Sequence, residues 1–311
     1  MIESHGLTKR LGGRVVVSDV TFACAPGTIT GFLGPNGAGK TTTMRMLCGL
    51  SDPDAGHAEV LGVSYRTLPN PGRRVGILLD AGAQHGGRRG QEALTVSALT
   101  MGADPGRVPE LIELVGLDRR AARQRVKQYS LGMRQRLGIA NALIGDPEVL
   151  ILDEPANGLD PEGMRWMRGL LRDFADRGGT VLLSSHLLHE VEAVADQLLI
   201  IGRGEIVAAG TREELLAGAG TLVRAADDER ALFTALDVAN LSARPHPDGG
   251  FIVDAEPDDV GRAALAGGVA LSRLGPSESA GLEQLFFDLT SGDADAPDGS
   301  ATTADLQESL R

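Results

Sequence analysis

Cysteines and lysines are few in this chain of 311 residues, and long apolar runs are missing. Its two cysteines, Cys24 and Cys48, have no metal-site spacing, which predicts inert thiols in a reducing cytosol. No stretch reaches the ~18 uninterrupted apolar residues that a membrane-spanning helix needs. The best candidate, Val181 to Ile201, is interrupted by charged residues and histidines. The first residues do not resemble a signal peptide. Any role at a membrane therefore requires a partner.

Basic charge is scarce as well, and it is unevenly distributed. The formal net charge is −12, and the residues from Thr221 onward hold 17 acidic against 6 basic side chains. The first 220 residues are therefore close to neutral. A nucleic-acid-binding surface needs basic side chains to neutralise phosphates. Nucleic acid is accordingly not expected as a partner.

The first 220 residues alternate between apolar strand patterns and helical patterns, and this alternation predicts an α/β domain. The predicted strands are Val20–Phe22, Ile29–Leu33, Val75–Leu79, Val149–Leu152 and Val181–Leu183. The predicted helices between them are Gly39–Gly49, Gly132–Ile144 and Glu162–Arg177. Because the last three strands are almost continuously apolar, we expect them to be buried on both faces of a mostly parallel sheet.

Two regions depart from this alternation. A helical subdomain is predicted over about residues 86–145, where the segments Gln91–Met101, Pro109–Val115 and Arg120–Val126 have helical patterns and no strand is evident. Residues 221–290 have the order strand, helix, strand, strand, helix, strand, which predicts a small ferredoxin-like α+β domain.

The second of these regions is expected to end in an apolar helix, and an acidic tail is expected to follow it. The helix carries the stripe Leu282, Leu285, Phe286 and Leu289. Residues 291–311 are rich in Asp, Ala, Ser and Gly, have little to bury, and are predicted to be disordered.

A glycine-rich loop follows the predicted strand Ile29–Leu33 and precedes a predicted helix. It fits the pattern G-x-x-x-x-G-K-[ST], and its residues, with the following threonine, are Gly34, Pro35, Asn36, Gly37, Ala38, Gly39, Lys40, Thr41 and Thr42. Glycines let backbone N–H groups turn toward phosphates, and the helix N-terminus adds a favourable partial charge. Lys40 is expected to reach the β- and γ-phosphates, and Thr41 to offer its hydroxyl to Mg²⁺. The loop predicts a nucleotide site.

Two acidic residues follow the apolar run Val149–Leu152. A buried strand would deliver Asp153 and Glu154 to the carboxyl edge of the sheet, where the phosphate loop also lies. Adjacent side chains on a strand point in different directions, so the two acids can have different roles. We expect Asp153 to hold Mg²⁺ and Glu154 to act as the general base.

These motifs, in this order, resemble the ATP-binding subunits of ABC transporters, a family of P-loop NTPases, over residues 1 to about 217. The family's signature segment corresponds to Tyr129–Arg136, and the loop after the paired acids to Ala156–Asp160. Its switch histidine corresponds to His186. The resemblance implies ATP and Mg²⁺ as cofactors, with His186 contacting the γ-phosphate and holding water against Glu154.

The resemblance also implies a homodimer that encloses two ATP molecules. In such a dimer Ser130 and Gly132 would bind the γ-phosphate of nucleotide held by the second copy, and Asp160 would couple the two sites. His189, one helical turn after His186, is expected at the surface.

Three positions differ from the family pattern. Leu11 occupies the position where an aromatic side chain usually stacks on adenine, and it can supply only apolar contact. Asp80 replaces a glutamine, so its side chain can accept hydrogen bonds but cannot donate them. It is expected in the coordination shell of the magnesium ion. Leu131 replaces a glycine of the signature, which limits backbone freedom there.

The resemblance implies a separate integral membrane permease, docked near Asp80 and the helical subdomain. The chain would then be cytoplasmic and peripheral on the inner face of the cell membrane. The ending Gly281–Thr290 is similar to that of bacterial drug and antibiotic exporter ATPases. The alternatives are a superfamily ATPase that acts on ribosomes or DNA, and a regulatory nucleotide-binding module that hydrolyses weakly.

Overall fold

The computed structural model describes residues 1–217, 220–246 and 249–276. Its central element is a six-stranded sheet made of β3 (Ile29–Leu33), β5 (Val75–Leu78), β6 (Val149–Leu152), β7 (Thr180–Ser185), β8 (Gln197–Gly202) and β9 (Glu205–Gly210). The strand order is β5-β6-β7-β3-β8-β9. The first five strands are parallel to their neighbours, and β9 pairs with β8 in antiparallel orientation.

Both faces of this sheet are covered, as the continuous apolar runs predict. Leu150 and Leu152 of β6 belong to one hydrophobic cluster, and the intervening Val149 and Ile151 to another. Because successive side chains on a strand point to opposite faces, each face receives apolar residues from the same strand. The predicted mostly parallel α/β sheet is confirmed.

One face is covered by a second, three-stranded antiparallel sheet of order β2-β1-β4, together with one helix. Its strands are β1 (Ile2–Leu11), β2 (Arg14–Cys24) and β4 (Ala55–Val60), and the helix is α1 (Lys40–Leu47). Of these three strands, the sequence patterns predict only Val20–Phe22, in the second half of β2. Strand β4 has just one buried residue, Val60, and it gains its hydrogen bonds by pairing with β1, so composition alone gives little signal for it.

Helices pack on the other face. The helices with residues in or against the hydrophobic cluster of this face are α3 (Gly90–Met101), α4 (Val108–Leu114), α5 (Arg119–Arg123), α6 (Leu131–Leu143), α7 (Pro161–Asp176), α8 (Leu188–Glu192) and α9 (Arg212–Ala217). The short helix α2 (Pro71–Arg74) precedes β5 and has no buried residue. The apolar residues of α3, α4 and α6 share one hydrophobic cluster with those of β3 and β6. The predicted helical region is therefore packed continuously onto the sheet.

The prediction that a helix runs on to Val126 is wrong. Helix α5 ends at Arg123, because the following backbone pairs instead with the segment before α3. The N–H of Gly90 donates to the carbonyl of Gln124 (3.2 Å), and the N–H of Val126 donates to the carbonyl of Arg88 (2.9 Å).

The described residues after Gly220 form a third sheet, with its own hydrophobic cluster. Its elements are β10 (Thr221–Ala225), α10 (Glu229–Val238), β11 (Ala243–Pro245), β12 (Phe251–Val253), α11 (Pro257–Ala266) and β13 (Leu271–Pro276). The strand order β11-β12-β10-β13, antiparallel throughout, is that of the predicted ferredoxin-like unit. The predicted helix with the Leu282 stripe and the tail 291–311 lie outside the described residues. None of the helices in the described part of the chain is long and apolar enough to cross a membrane.

Candidate nucleotide site

The phosphate loop joins β3 to α1 at the carboxyl edge of the six-stranded sheet. Two of its glycines lie where no larger residue fits. A Cβ atom on Gly34 would come within 2.5 Å of the Ile201 carbonyl oxygen, and one on Gly39 within 2.7 Å of the Val16 carbonyl oxygen. Gly39 also has φ of 110°, in the left-handed region that favours glycine. The tight β3–α1 turn therefore depends on glycine at both positions.

The other predicted members of the loop follow its curvature. Ala38 is buried, and its N–H donates to the carbonyl of Pro35 (3.1 Å) while its own carbonyl accepts from Gly204 (3.0 Å). Asn36 and Gly37 are exposed at the outer turn, and Thr42 is half-buried in the first turn of α1. The backbone of the loop is thus fixed by hydrogen bonds at its base and open at its outer edge.

Lys40 is buried and lies at the centre of this loop. Its Nζ donates to the carbonyl oxygens of Gly34 (2.5 Å) and Pro35 (3.2 Å) and lies 3.7 Å from Oε1 of Glu154. Burial lowers the pKa of the Lys40 ammonium below its ordinary value, and the Glu154 and Asp153 carboxylates oppose that shift. The predicted phosphate-binding cation and the predicted general base are therefore in direct electrostatic contact.

Two of the three predicted magnesium ligands, Thr41 and Asp153, lie side by side. The hydroxyl of Thr41 donates to Oδ2 of Asp153 at 2.5 Å, although the two residues are 112 positions apart. A hydroxyl and a carboxylate are hard oxygen donors, and Mg²⁺ commonly takes one or two such protein ligands, with phosphates and water completing its shell. The described residues contain no cluster of three or more His, Cys, Asp or Glu that would form an all-protein cage. Thr41 and Asp153 therefore fit a magnesium ion that arrives with nucleotide.

The N–H, the carbonyl and the carboxylate of Glu154 each have a polar partner. Its backbone has φ of 49°, a left-handed conformation that costs a non-glycine residue of order 1–3 kcal/mol and persists only when neighbours fix it. Its N–H donates to Oγ of Ser184 (2.9 Å), and its carbonyl accepts from Nε2 of Gln135 (2.9 Å). Its side-chain Oε2 lies 2.8 Å from Nδ1 of His186. The predicted base and the predicted switch histidine are therefore in contact.

The predicted signature residues lie at the start of α6. Ser130 is the N-cap of that helix, and its Oγ accepts from the N–H of Met133 (3.2 Å). Ser130 is exposed and Gly132 is half-buried. Neither contacts the phosphate loop of the same chain by any hydrogen bond found among the described residues. Their described contacts are instead with their own helix and with Gly158.

Leu131 fills the position where the family pattern has glycine. Its side chain is 48% exposed and packs against Gly158, where a Cβ atom would come within 2.5 Å of Leu131 Cδ2. A Cβ on Gly132 would also meet the carbonyl oxygen of Gly158, at 2.7 Å. The signature and the loop after the paired acids are therefore packed together, and Leu131 is part of that contact.

Asp160 ends this loop and begins α7. Its Oδ1 accepts from the N–H of Gly163 at 2.7 Å, which makes it the N-cap of the helix. In this chain its carboxylate is thus occupied in helix capping.

Two other predicted residues lie at the edges of the site. Leu11 is 52% exposed at the tip of the β1–β2 hairpin, the hairpin whose Val16 contacts Gly39. Asp80 follows β5, is exposed, and accepts from the N–H of Gly82 (2.6 Å) through its Oδ1. Among the described residues no hydrogen bond joins Asp80 to Thr41 or Asp153, so its place in a magnesium shell stays a prediction. His189 is exposed, as expected.

The sequence patterns did not single out Ser184 or assign a role to Gln135. Ser184 is fully buried on β7, and its hydroxyl donates to Oδ1 of Asp153 while accepting from Glu154. Gln135 is buried on α6. Both act on the paired acids from distant parts of the chain, so only the β6–β7 pairing and the packing of α6 bring them into the site.

The sequence between residues 17 and 157 matches the family model described as ABC transporter. The chain is 40% identical over 210 residues to the bacitracin transport ATP-binding protein BcrA of Bacillus licheniformis, covering 67% of this chain and 68% of that protein. This chain belongs to the ABC transporter ATP-binding proteins. It is also 40% identical over 210 residues to the uncharacterized ABC transporter ATP-binding protein YhcH of Bacillus subtilis, with the same coverage.

Export is named for some relatives of this ABC ATPase. The Nod factor export ATP-binding protein I of Paraburkholderia xenovorans is 38% identical over 221 residues, which cover 70% of this chain and 72% of that protein.

Solved structures bear out the fold of this ABC ATPase. A structure described as the ATP-binding subunit of an ABC transporter has a TM-score of 0.64 at 27% identity, covering 69% of this chain and 91% of that chain. A dimeric ATP-binding cassette bound to ADP and phosphate has a TM-score of 0.62 at 20% identity, covering 68% and 98%. The predicted P-loop NTPase fold is confirmed.

Proposed function

We propose that this chain hydrolyses ATP to power the export of drug- or antibiotic-like molecules through a separate integral membrane permease. The observation that carries the hydrolytic part is the cluster of Lys40, Glu154 and His186, with Glu154 within 3.7 Å of the lysine and 2.8 Å of the histidine. Support for export comes from the relatives named for bacitracin transport and Nod factor export. The protein would act at the inner face of the cell membrane, where the permease would hold it.

In this proposal each residue of the site has a separate role. The backbone of the phosphate loop and Lys40 bind the β- and γ-phosphates. Thr41 and Asp153 would hold Mg²⁺, which supplies positive charge against the phosphate oxygens. Glu154 accepts a proton from the attacking water, because it is the carboxylate nearest the buried lysine and is not a metal ligand in this scheme. His186 orients the Glu154 carboxylate.

The site is completed by a second copy of the chain. Ser130 and Gly132 lie at the N-terminus of a 13-residue helix, and among the described residues no hydrogen bond joins them to their own phosphate loop. The N–H groups and dipole of such a helix end favour an anion. A head-to-tail homodimer would place this face over the γ-phosphate bound by the second copy. Leu11 would contact adenine from the β1–β2 hairpin.

Trapping the ATP-bound dimer tests this arrangement. Glu154→Gln keeps the size of the side chain but removes the base, so ATP should remain bound and the protein should elute from gel filtration as a dimer with Mg-ATP and as a monomer without it. Glu110→Gln on α4, an exposed glutamate far from the site in sequence, is the matched control and should hydrolyse ATP like the wild type. A Glu154→Gln protein that stays monomeric with Mg-ATP would contradict the dimer.

The permease is tested by purification from detergent extracts of the native membrane. An integral membrane protein should co-purify with the chain, and mutation of Lys40 to Ala should abolish ATP-driven efflux without breaking this association. Recovery with ribosomes instead would favour the alternative superfamily ATPase. ATP binding without turnover in the purified complex would favour the regulatory module.

A further inference from the structure

The helix that carries the signature also contacts the predicted catalytic base of its own chain. Gln135 lies in α6 only five residues after Ser130, and its Nε2 donates to the backbone carbonyl of Glu154 at 2.9 Å. This hydrogen bond spans 19 residues and joins the signature helix to the residue that follows Asp153. We propose that Gln135 is a positioning residue, which holds the backbone of Glu154 so that its carboxylate lies between Lys40 and His186.

The backbone at Glu154 needs such support. Its φ of 49° is unfavourable for a residue with a side chain, so the conformation must be held by contacts on both sides of the residue. Ser184 accepts from the N–H of Glu154, and Gln135 donates to its carbonyl. The first contact comes from the sheet and the second from the signature helix. Removing either one lets the peptide units around Glu154 relax toward ordinary φ values.

Burial makes the Gln135 contact effective. The side chain is 4% exposed, so water cannot easily replace the amide as a donor to the Glu154 carbonyl. The other amide atom, Oε1, is buried without a hydrogen-bond partner among the described residues. Within the described part of the chain, the hydrogen bond to Glu154 is therefore the one polar contact that this side chain makes.

The first turn of α6 packs on the loop that follows the paired acids. Leu131 and Gly132 contact Gly158, four residues after Glu154. Helix α6 therefore meets the segment after the paired acids at two levels, by packing at Gly158 and by a hydrogen bond at Glu154. In the proposed dimer, the helix that closes on the second copy's nucleotide would thus also hold the base of its own site.

The test uses two near-isosteric substitutions in the full chain, and it rests on the proposed function. Gln135→Met removes the hydrogen-bond donor and replaces the amide with an apolar side chain of similar length. It should lower kcat for ATP about tenfold or more, because small displacements of a catalytic group are costly. KM for ATP should stay within about twofold of the wild type, because the phosphate loop is unchanged.

Gln135→Glu tests the hydrogen bond through the pH dependence of kcat, which a loss of packing alone would not change. An ionised glutamate cannot donate to the Glu154 carbonyl, whereas the protonated acid can. Burial favours the protonated form, so the ratio of Gln135→Glu to wild-type kcat should rise as the pH falls from about 8.5 to 6. The ratio for Gln135→Met should stay flat over this range.

Asn141 provides the matched control. It is a second amide on α6, with Oδ1 buried and unpaired among the described residues, and it makes no described contact with the site. Asn141→Leu should leave kcat and its pH profile unchanged. In addition, Gln135→Met in the Glu154→Gln background should still form the ATP-bound dimer, because the phosphate contacts remain.

The outcomes separate this inference from the proposed function. If wild-type protein hydrolyses ATP but Gln135→Met has wild-type kcat, or the Gln135→Glu ratio is flat with pH, the positioning role is wrong. Loss of the dimer in the double variant would also overturn it, because Gln135 would then act through the interface. If the wild-type protein does not hydrolyse ATP at all, the proposed function fails first.

Discussion

Ser184 connects both paired acids through a single hydroxyl. The hydroxyl donates to the Asp153 carboxylate and accepts from the Glu154 N–H, so it orients the predicted metal ligand and the predicted base together. Because Ser184 is fully buried, no water is available to take its place. At the scale of single residues, one buried hydroxyl therefore joins the predicted metal ligand to the predicted base.

Ser184→Ala should lower kcat for ATP at least tenfold and reduce the free energy of unfolding by about 1–3 kcal/mol, since it leaves buried polar groups unpaired. Urea denaturation and steady-state ATPase assays measure the two effects. The control is Ser4→Ala, which removes another fully buried hydroxyl, one that donates to the Val20 carbonyl at 2.6 Å in the antiparallel sheet. Ser4→Ala should lose stability but keep kcat. Equal kcat values for both variants would contradict the role of Ser184.

The two thiols are predicted to be unreactive in the native protein. Burial raises the pKa of both Cys24 and Cys48 to about 12, so at pH 8 only roughly one thiol in ten thousand is ionised. Because the thiolate is the reactive form, iodoacetamide at pH 8 should label neither cysteine in the native protein. It should label both in 6 M guanidinium chloride, as counted by mass spectrometry. Rapid labelling of the native protein would contradict the buried positions.

At the scale of secondary structure, both loops that face the proposed dimer interface end in helix caps. Ser130 caps α6 and Asp160 caps α7, each by accepting from a backbone N–H three residues later. The family resemblance assigns the Ser130 hydroxyl to the second copy's nucleotide and Asp160 to the coupling of the two sites. Helix stability and the proposed contacts therefore depend on the same atoms, and a single substitution does not distinguish them.

Two substitutions at Asp160 separate these effects. Asp160→Ala should lower the free energy of unfolding by about 1 kcal/mol, because the Gly163 N–H loses its acceptor. Asp160→Ser keeps a capping oxygen but removes the charge, so it should restore most of that stability. If the carboxylate also couples the two sites, both variants should hydrolyse ATP more slowly, whereas recovery of activity in Asp160→Ser would assign Asp160 to capping alone.

At the scale of the whole molecule, the hydrophobic clusters fall into two groups. Two clusters line the faces of the six-stranded sheet, and the third lies wholly in the described residues after Gly220. The phosphate loop, the paired acids and the signature all belong to the first part of the chain. The boundary near residue 220 stays a prediction, and it has a thermodynamic consequence.

Differential scanning calorimetry checks that boundary. A ligand that binds one folded unit raises the Tm of that unit and leaves an independent unit unaffected. Mg-ATP added to the Glu154→Gln protein should therefore raise the Tm of one thermal transition and leave the Tm of a second transition unchanged. The double variant Lys40→Ala, Glu154→Gln lacks the predicted phosphate-binding cation. Mg-ATP should therefore leave both of its Tm values unchanged. A single transition that moves as a whole with Mg-ATP would mean that the two parts unfold together.

Local sequence patterns were enough to predict the type of sheet and to propose which residues form the nucleotide site. Gly39, Lys40 and Asp153 were predicted because their local patterns are tied to strand ends and helix starts, and the continuously apolar strands predicted burial on both faces. The order of elements after Gly220 predicted the strand order of the small sheet. These features are local, or they follow from the order of elements along the chain.

The distant residues that support the site become visible in the folded chain alone. The Gln135 amide reaches the carbonyl of Glu154, and the Ser184 hydroxyl joins two acids about 30 positions earlier. Strand β4 likewise exists because β1 supplies its partners, and α5 ends early because the backbone near Gln124 pairs with the segment before α3. A hydrogen bond between distant segments leaves no periodic signal in either one. The fold had to bring the segments together before those contacts could be seen.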